Sequence, residues 1–250
     1  MAIVKLSWSG GKDSTAAALL HLERGDKLKM VCYIPMFTKE IPLILKSHYE
    51  FILRAADYFR SRGAEVYLVH GMTYFDYVLR KKTKGDEKGL IMGFPVFKVR
   101  GCGFKNYSKI PALESTNVGD YDYKDIGIAF DEVDRHTQLS ESKRSILFEY
   151  KCTEKMAKEL CSINGLLSPL YENASRDGCT LCPHAPSARR RAWFNEYPQA
   201  VPLVLYLQEQ VIEKNNLIST PQRTPLRNYK WFLEPNDQLG IAYQEEYIIN

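Results

Sequence analysis

The run Ser9-Gly10-Gly11-Lys12-Asp13-Ser14 constrains this chain more than any other feature, because it follows a strand-like apolar stretch at residues 2–8 and precedes a helix-like stretch at residues 15–24. Two adjacent glycines let the backbone turn tightly and aim successive N–H groups at an anion, and the following helix adds its positive dipole end. Ser9 and Ser14 add hydroxyl donors, Lys12 a mobile charge, and Asp13 a carboxylate for a magnesium ion or for the helix start. The spacing fits neither a Walker A loop nor a Gly-x-Gly-x-x-Gly dinucleotide turn. The plain alternative is a Ser/Gly-rich turn before a helix cap, which leaves Lys12 and Asp13 incidental.

Strand and helix patterns alternate behind that loop, which predicts an α/β fold: a Rossmann-like parallel sheet with helices on both faces, plus a helical C-terminal appendage. Strands are expected at 2–7, 29–34, 65–69 and 125–130. Helices are expected at 15–24 and at 42–62, where Leu43, Leu45, Phe51, Ile52, Ala55, Ala56 and Phe59 keep a helical period and Gly63 ends it. Residues 71–123 are irregular and should lie over the C-terminal sheet edge, where open α/β folds bind ligands. Later helices are expected at 141–150, 153–164, 185–196 and 202–214. The pattern suggests a nucleotide-binding domain at 1–135 and a mostly helical region at 136–250, with no clear period from Leu217 onward.

A chain of 250 residues with 45% apolar content can bury a sizeable core, and its formal charge of +4 suits an anionic substrate without arguing for nucleic acid. No apolar run approaches the roughly 20 residues that cross a bilayer, and the N-terminus has no basic region followed by an apolar stretch. A cytoplasmic protein with no membrane partner is therefore expected. Six cysteines then read as metal or redox groups rather than disulfides. Cys32 and Cys161 fall in a strand and a helix pattern and read as buried hydrophobes.

Two further constellations carry chemistry. Gly127-Ile128-Ala129-Phe130-Asp131-Glu132-Val133-Asp134-Arg135 ends an apolar strand with three carboxylates and an arginine, either at a site or as a solvated loop capping a helix. Gly178-Cys179-Thr180-Leu181-Cys182-Pro183-His184 holds a ligand-like cysteine pair, and Cys102, between two glycines that allow close backbone approach, is its nearest partner. Cys102, Cys179 and Cys182 with His184 would make a tetrahedral zinc set; a free dithiol is the other reading, and Cys152 is a weaker ligand. Arg189, Arg190 and Arg191, with Lys81, Lys82 and Lys84, suggest either a phosphate-binding groove or ordinary solvated faces. The histidines, among them His21 and His48 in the first two helices, read as packed or surface residues.

The Ser9–Ser14 run resembles the SGGxDS signature of the PP-loop superfamily, the adenine nucleotide alpha hydrolase-like proteins that include ATP pyrophosphatases and phosphoadenylyl-sulfate (PAPS) reductases. The 127–135 segment resembles the Gly-Ile-Arg-x-Asp-Glu…Arg strand end of PAPS reductases, and 178–184 resembles the Cys-x-x-Cys of PAPS-reductase-like proteins common in phages and their hosts. The resemblance implies that ATP and Mg2+ lie among Ser7, Ser9, Gly10, Gly11, Lys12, Asp13, Ser14, Tyr33 and Gly127. Lys12, Asp13, Asp131, Glu132 and Arg135 would face its phosphates or metal. By likeness to thiolating members, three cysteines would hold a 4Fe-4S cluster in place of zinc. Two departures point away from a reductase: Ala129 stands where the anion-clamping arginine is expected, and no cysteine follows Cys182 to serve as the reductase nucleophile. The resemblance thus implies adenylation with pyrophosphate release, serving sulfur transfer to a nucleic-acid or small-molecule acceptor, in a protein that forms a homodimer. A sulfonucleotide reductase and a non-catalytic nucleotide-binding regulator or defence component are the alternatives.

Overall fold

The computed structural model describes residues 1–95, 97–98, 101–140, 142–173, 178–182 and 185–215. In chain order the first elements are β1 (Ile3–Trp8), α1 (Lys12–Arg24), β2 (Lys27–Tyr33), α2 (Lys46–Ser61), β3 (Glu65–Val69) and α3 (Tyr74–Leu79). Two short antiparallel strands, β4 (Phe97–Lys98) and β5 (Gly101–Cys102), precede a π-helical turn at Lys105–Lys109 that leads into α4 (Ile110–Ser115). Then come β6 (Tyr123–Ile126), α5 (Val133–Thr137), β7 (Lys143–Arg144), α6 (Ile146–Glu149), α7 (Glu154–Ile163) and α8 (Leu170–Asn173). The last two helices among the described residues are α9 (Ser187–Glu196) and α10 (Ala200–Asn215).

The expected fold class holds. Five strands form one parallel sheet in the order β3-β2-β1-β6-β7, flanked by helices. From β1 the chain steps outward to β2 and β3, then returns to lay β6 on the other side of β1. The order reverses at β1, and at such a reversal the connections diverge and leave a crevice beyond the strand ends. The sheet is dry where it matters: Val4, Leu6, Leu28, Met30 and Cys32 are buried, and Trp8 lies edge-on to Phe59 of α2.

The chain forms two compact units that interleave in sequence rather than meeting at residue 135. The first comprises Met1–Ile34, Ser47–Val69 and Ala112–Asp177; the second comprises Pro35–Lys46, His70–Pro111 and Gly178–Asn250. Residues 136–177, expected in the helical appendage, instead complete the sheet unit, because β7 pairs with β6 and α7 packs on α1. The expected helix at 42–62 begins only at Lys46: residues 35–45 turn back on themselves, with Phe37 N–H donating to Ile41 O and Leu43 N–H to Pro35 O. Its first apolar residues, Leu43 and Leu45, serve the second unit's core, where Phe37, Tyr74, Tyr77, Val78, Ile91, Trp193 and Leu207 gather. The helix expected at 141–150 is reduced to α6 behind the two-residue β7, and the tail from Leu217 lies outside the described residues.

A buried polar knot fastens the far end of α1 to the sheet. His21 Nδ1 lies 2.9 Å from Asp26 Oδ2, Arg24 Nε donates to the same carboxylate at 2.7 Å, and Ala2 N–H donates to its other oxygen at 2.9 Å. Burial works against the Asp26 charge, yet the Ala2 N–H, His21 and Arg24 together outweigh it and hold the pKa down to about 2. A carboxylate depressed in the fold stabilises it above its unfolded pKa, near 4, and that contribution is lost as pH falls through 2. Asp26→Asn should therefore cost about 2 kcal/mol at pH 7, a gap that closes as pH falls from 4 to 2. Urea denaturation across that range checks it, and a gap independent of pH counts against it.

Candidate functional site

The Ser9–Ser14 loop occupies the crevice position, directly after the central strand. Its second half is already helical: Gly11 caps α1 in extended conformation, and Lys12, Asp13 and Ser14 form the first turn. Gly10 adopts φ +74°, and a Cβ there would meet Ile52 Cγ1 of α2 at 2.6 Å, so no other residue makes this turn without displacing α2. The loop is braced from inside. Ser14 Oγ accepts from Ser9 N–H at 3.1 Å and donates to Gly11 O at 3.1 Å, while Thr15 Oγ1 takes the Trp8 indole N–H at 3.0 Å.

The N–H groups of Gly10, Asp13 and Ser14 have no acceptor among the described residues. Those of Ser9, Gly11 and Lys12 are engaged by Ser14 Oγ, Ser9 Oγ and the Tyr171 hydroxyl. Three open donors at the start of a 13-residue helix make an anion cradle. Its wall is Gly127, just past β6: a Cβ there would stand 2.5 Å from Ser14 N and 2.6 Å from Ser14 Cα. Ser7 pairs with Ile126 beside that wall, whereas Tyr33 ends β2 on the opposite side of β1.

Beside the cradle stand three carboxylates. Asp13, Glu132 and Glu154 bring one oxygen each within 4.8 Å of one another, and no other trio of candidate ligands does so among the described residues. Lys12 Nζ sits among them, 2.8 Å from Asp13 and 3.5 Å from Glu154. Burial foremost, then the charges of Glu154 and Glu132, raise the Asp13 pKa against the pull of Lys12. Cys161 lies beneath, its thiol donating to Lys12 O at 3.2 Å and pushed by burial up to about 12, a packed group rather than a nucleophile.

The acidic strand end contributes only in part. Glu132 joins the trio, accepts from Ala129 N–H at 3.3 Å and pairs with Arg135, whose side chain is largely exposed. Asp131 turns elsewhere, accepting from Glu154 N–H at 3.0 Å and so capping α7. Glu154 went unrecognised in the sequence. Its signal was the Thr153 cap, which fixes the start of α7 and, through it, where Glu154 stands.

Cys102, Cys179 and Cys182 all belong to the second unit. Burial pushes the Cys179 thiol up to about 12, and the neighbouring Cys182 and Cys102 thiols add to the shift. Burial and the same three thiols raise the buried Tyr74 phenol well above its ordinary value. The three sulfurs do not all lie within 4.8 Å of one another, and His184 lies outside the described residues. Gly103 has a packing role the sequence did not indicate, since a Cβ there would collide with the Tyr77 hydroxyl. Cys152, the weaker ligand, lies in the first unit.

Arg189 and Arg190 are buried, with Arg190 donating to Ala185 O at 2.9 Å, so a fully solvated face does not describe this helix. Lys82 is paired with Glu87 at 2.8 Å. No helix among the described residues is long and apolar enough to cross a membrane. No protein-family model matches the chain, and no curated protein matches it.

Proposed function

We propose that the protein is a PP-loop ATP pyrophosphatase of the PAPS-reductase-like kind, which binds ATP in the cytoplasm and adenylates a substrate with release of pyrophosphate, in the service of sulfur transfer. One observation carries the reading: the open N–H groups of Gly10, Asp13 and Ser14 at the end of the central strand, beside the Asp13, Glu132 and Glu154 trio. The donors suit the β and γ phosphates as a leaving group. Positioning and charge neutralisation are then the main work of the site.

Three hard oxygen donors around one point suit Mg2+, and the crowding that raises Asp13 is what a cation relieves. Asp13, Glu132 and Glu154 would hold the ion, which supplies charge neutralisation on the phosphates. Lys12 Nζ, tied to Asp13 and Glu154 without nucleotide, would exchange those partners for phosphate oxygens.

The three thiols suit a 4Fe-4S cluster better than one zinc ion. Tetrahedral zinc with Zn–S near 2.3 Å sets ligand sulfurs about 3.8 Å apart, and these sulfurs are not all within 4.8 Å of one another. A cluster held by three thiolates would supply an open iron for sulfur chemistry. The acceptor is a nucleic acid or a small molecule.

Incubation with α-labelled ATP, Mg2+ and candidate acceptors should yield AMP or an adenylated product with pyrophosphate, and Lys12→Ala should lower the rate by about 10²–10³-fold. Sulfite from PAPS would instead mark a reductase, and tight ATP binding without product a nucleotide-sensing regulator. Anaerobically purified protein should contain iron and acid-labile sulfide; stoichiometric zinc without sulfide would reject the cluster.

A further inference from the structure

The parallel register places four lysines in one row across the sheet. Lys5 of β1 pairs with Lys29 of β2 on one side and Lys124 of β6 on the other, and Lys124 pairs with Lys143 of β7. Paired residues of neighbouring strands project from the same face about 4.8 Å apart, so the row is a line of like charges. At its β3 end Lys29 pairs with Glu65, whose carboxylate is taken by the Tyr67 hydroxyl.

None of the four lysines forms an ion pair among the described residues. Their partners are neutral. Lys5 Nζ reaches Leu113 O at 3.5 Å and Thr116 O at 3.3 Å, and Lys29 Nζ donates to Val118 O at 2.7 Å. Lys5 and Lys124 both lie over the Tyr121 ring, at 5.7 and 5.9 Å from its centre. Lys5 is only 9% exposed, and burial, with the charge of Lys124, lowers its pKa. A buried ammonium beside another, held by carbonyls and a ring and in no ion pair among the described residues, is an arrangement that an anion would stabilise.

There is room for one. A cavity of about 450 Å³ is lined by Lys5, Lys124, Ser115, Thr116, Asn117 and Tyr121, with Glu114 also on its wall. That volume suits a small ligand, and the lining supplies two cations and the Asn117 amide against the one Glu114 carboxylate, while the Ser115 and Thr116 hydroxyls already donate to Ala112 O. We propose that this cavity is a binding site for a small tetrahedral dianion, phosphate or a phosphomonoester, held between Lys5 and Lys124 beneath the segment that follows α4. The site is separate from the Ser9–Ser14 loop, because Lys5 precedes Ser9 by four residues, about 13 Å along a strand. Two adjacent lysines match one dianion, and the overlying 113–121 segment encloses Lys5 where an extended nucleic-acid strand would need it open.

Thermal unfolding of the full chain at constant ionic strength tests this, with potassium phosphate and glycerol 3-phosphate each set against chloride. Phosphate should raise the melting temperature by at least about 2 °C. Lys5→Met and, should that variant fail to fold, the more exposed Lys124→Gln should abolish the rise, whereas Lys12→Ala in the loop should retain it. Stronger protection by the ester than by phosphate identifies a phosphorylated metabolite as the ligand; equal protection identifies the free ion, and either supports the site. Absence of protection in the wild type overturns it, as does a rise abolished by Lys12→Ala but retained by Lys124→Gln. A single-stranded oligonucleotide that binds through Lys5 and Lys124 without phosphate protection also overturns it, in favour of a nucleic-acid track.

Discussion

Trp193→Ala is expected to destabilise the protein by about 3–5 kcal/mol. The indole is fully buried, lies edge-on to Phe37 with ring centres 5.3 Å apart, and packs against Phe194 at 5.1 Å. Truncation removes that apolar contact and opens a cavity that Phe37 and Phe194, both held by further neighbours, fill only in part. The change also orphans the Pro42 carbonyl, which accepts the indole N–H at 2.9 Å inside a core that water does not reach. Trp193→Phe keeps most of the packing and loses only the donor, so it should cost less than half as much. Urea denaturation followed by far-ultraviolet circular dichroism measures both, and an alanine variant within 1 kcal/mol of wild type would contradict this account of the core.

Gly127→Ala should disable the loop without touching it in sequence. Gly127 does not need a left-handed backbone, so the whole effect is steric: the new methyl would sit within 2.7 Å of Ser14 N, Ser14 Cα and Asp13 C. These are main-chain atoms of the first turn of α1, which cannot swing aside as a side chain does. Either β6 or the start of α1 must shift, at about 1–3 kcal/mol for an overpacked site. The shift falls on the Asp13 and Ser14 N–H groups and on the Asp13 carboxylate. On the proposed function, ATP affinity, read by isothermal titration, is expected to drop by about 100-fold or more, since displacements near 1 Å suffice for losses of that size. A Gly127→Ala protein that binds ATP as wild type does would remove Gly127 from the site.

How much of this was legible depended on whether the cause was local. The loop's Gly-Gly pair, the apolar stretch before it and the periodic helix after it lie within 24 residues, and the sheet's fold class followed from strands and helices of the same kind. The helix is shorter than the period over 42–62 predicts because Leu43 and Leu45 fit a helical period while serving a different core, with Pro35 and Pro42 turning the chain out of that period. Glu154 entered the carboxylate trio through its place at the start of α7, a helix whose docking on α1 no sequence period encodes. The lysine row was invisible for a related reason: Lys5, Lys29, Lys124 and Lys143 are scattered along the sequence and become neighbours only through strand register.

The interleaving of the two units bears on how the chain is made. A nascent chain that has reached residue 135 holds β1, β2, β3 and β6 but neither β7 nor the α7 that covers α1, and residues 35–46 still wait for α9 and α10. Neither unit can close early in synthesis, and both depend on pairings of high sequence separation, which form slowly. The apolar strands of the sheet are therefore exposed through much of translation, so yield in a heterologous host should respond to chaperones and to lower growth temperature more than the stability of the finished fold would suggest.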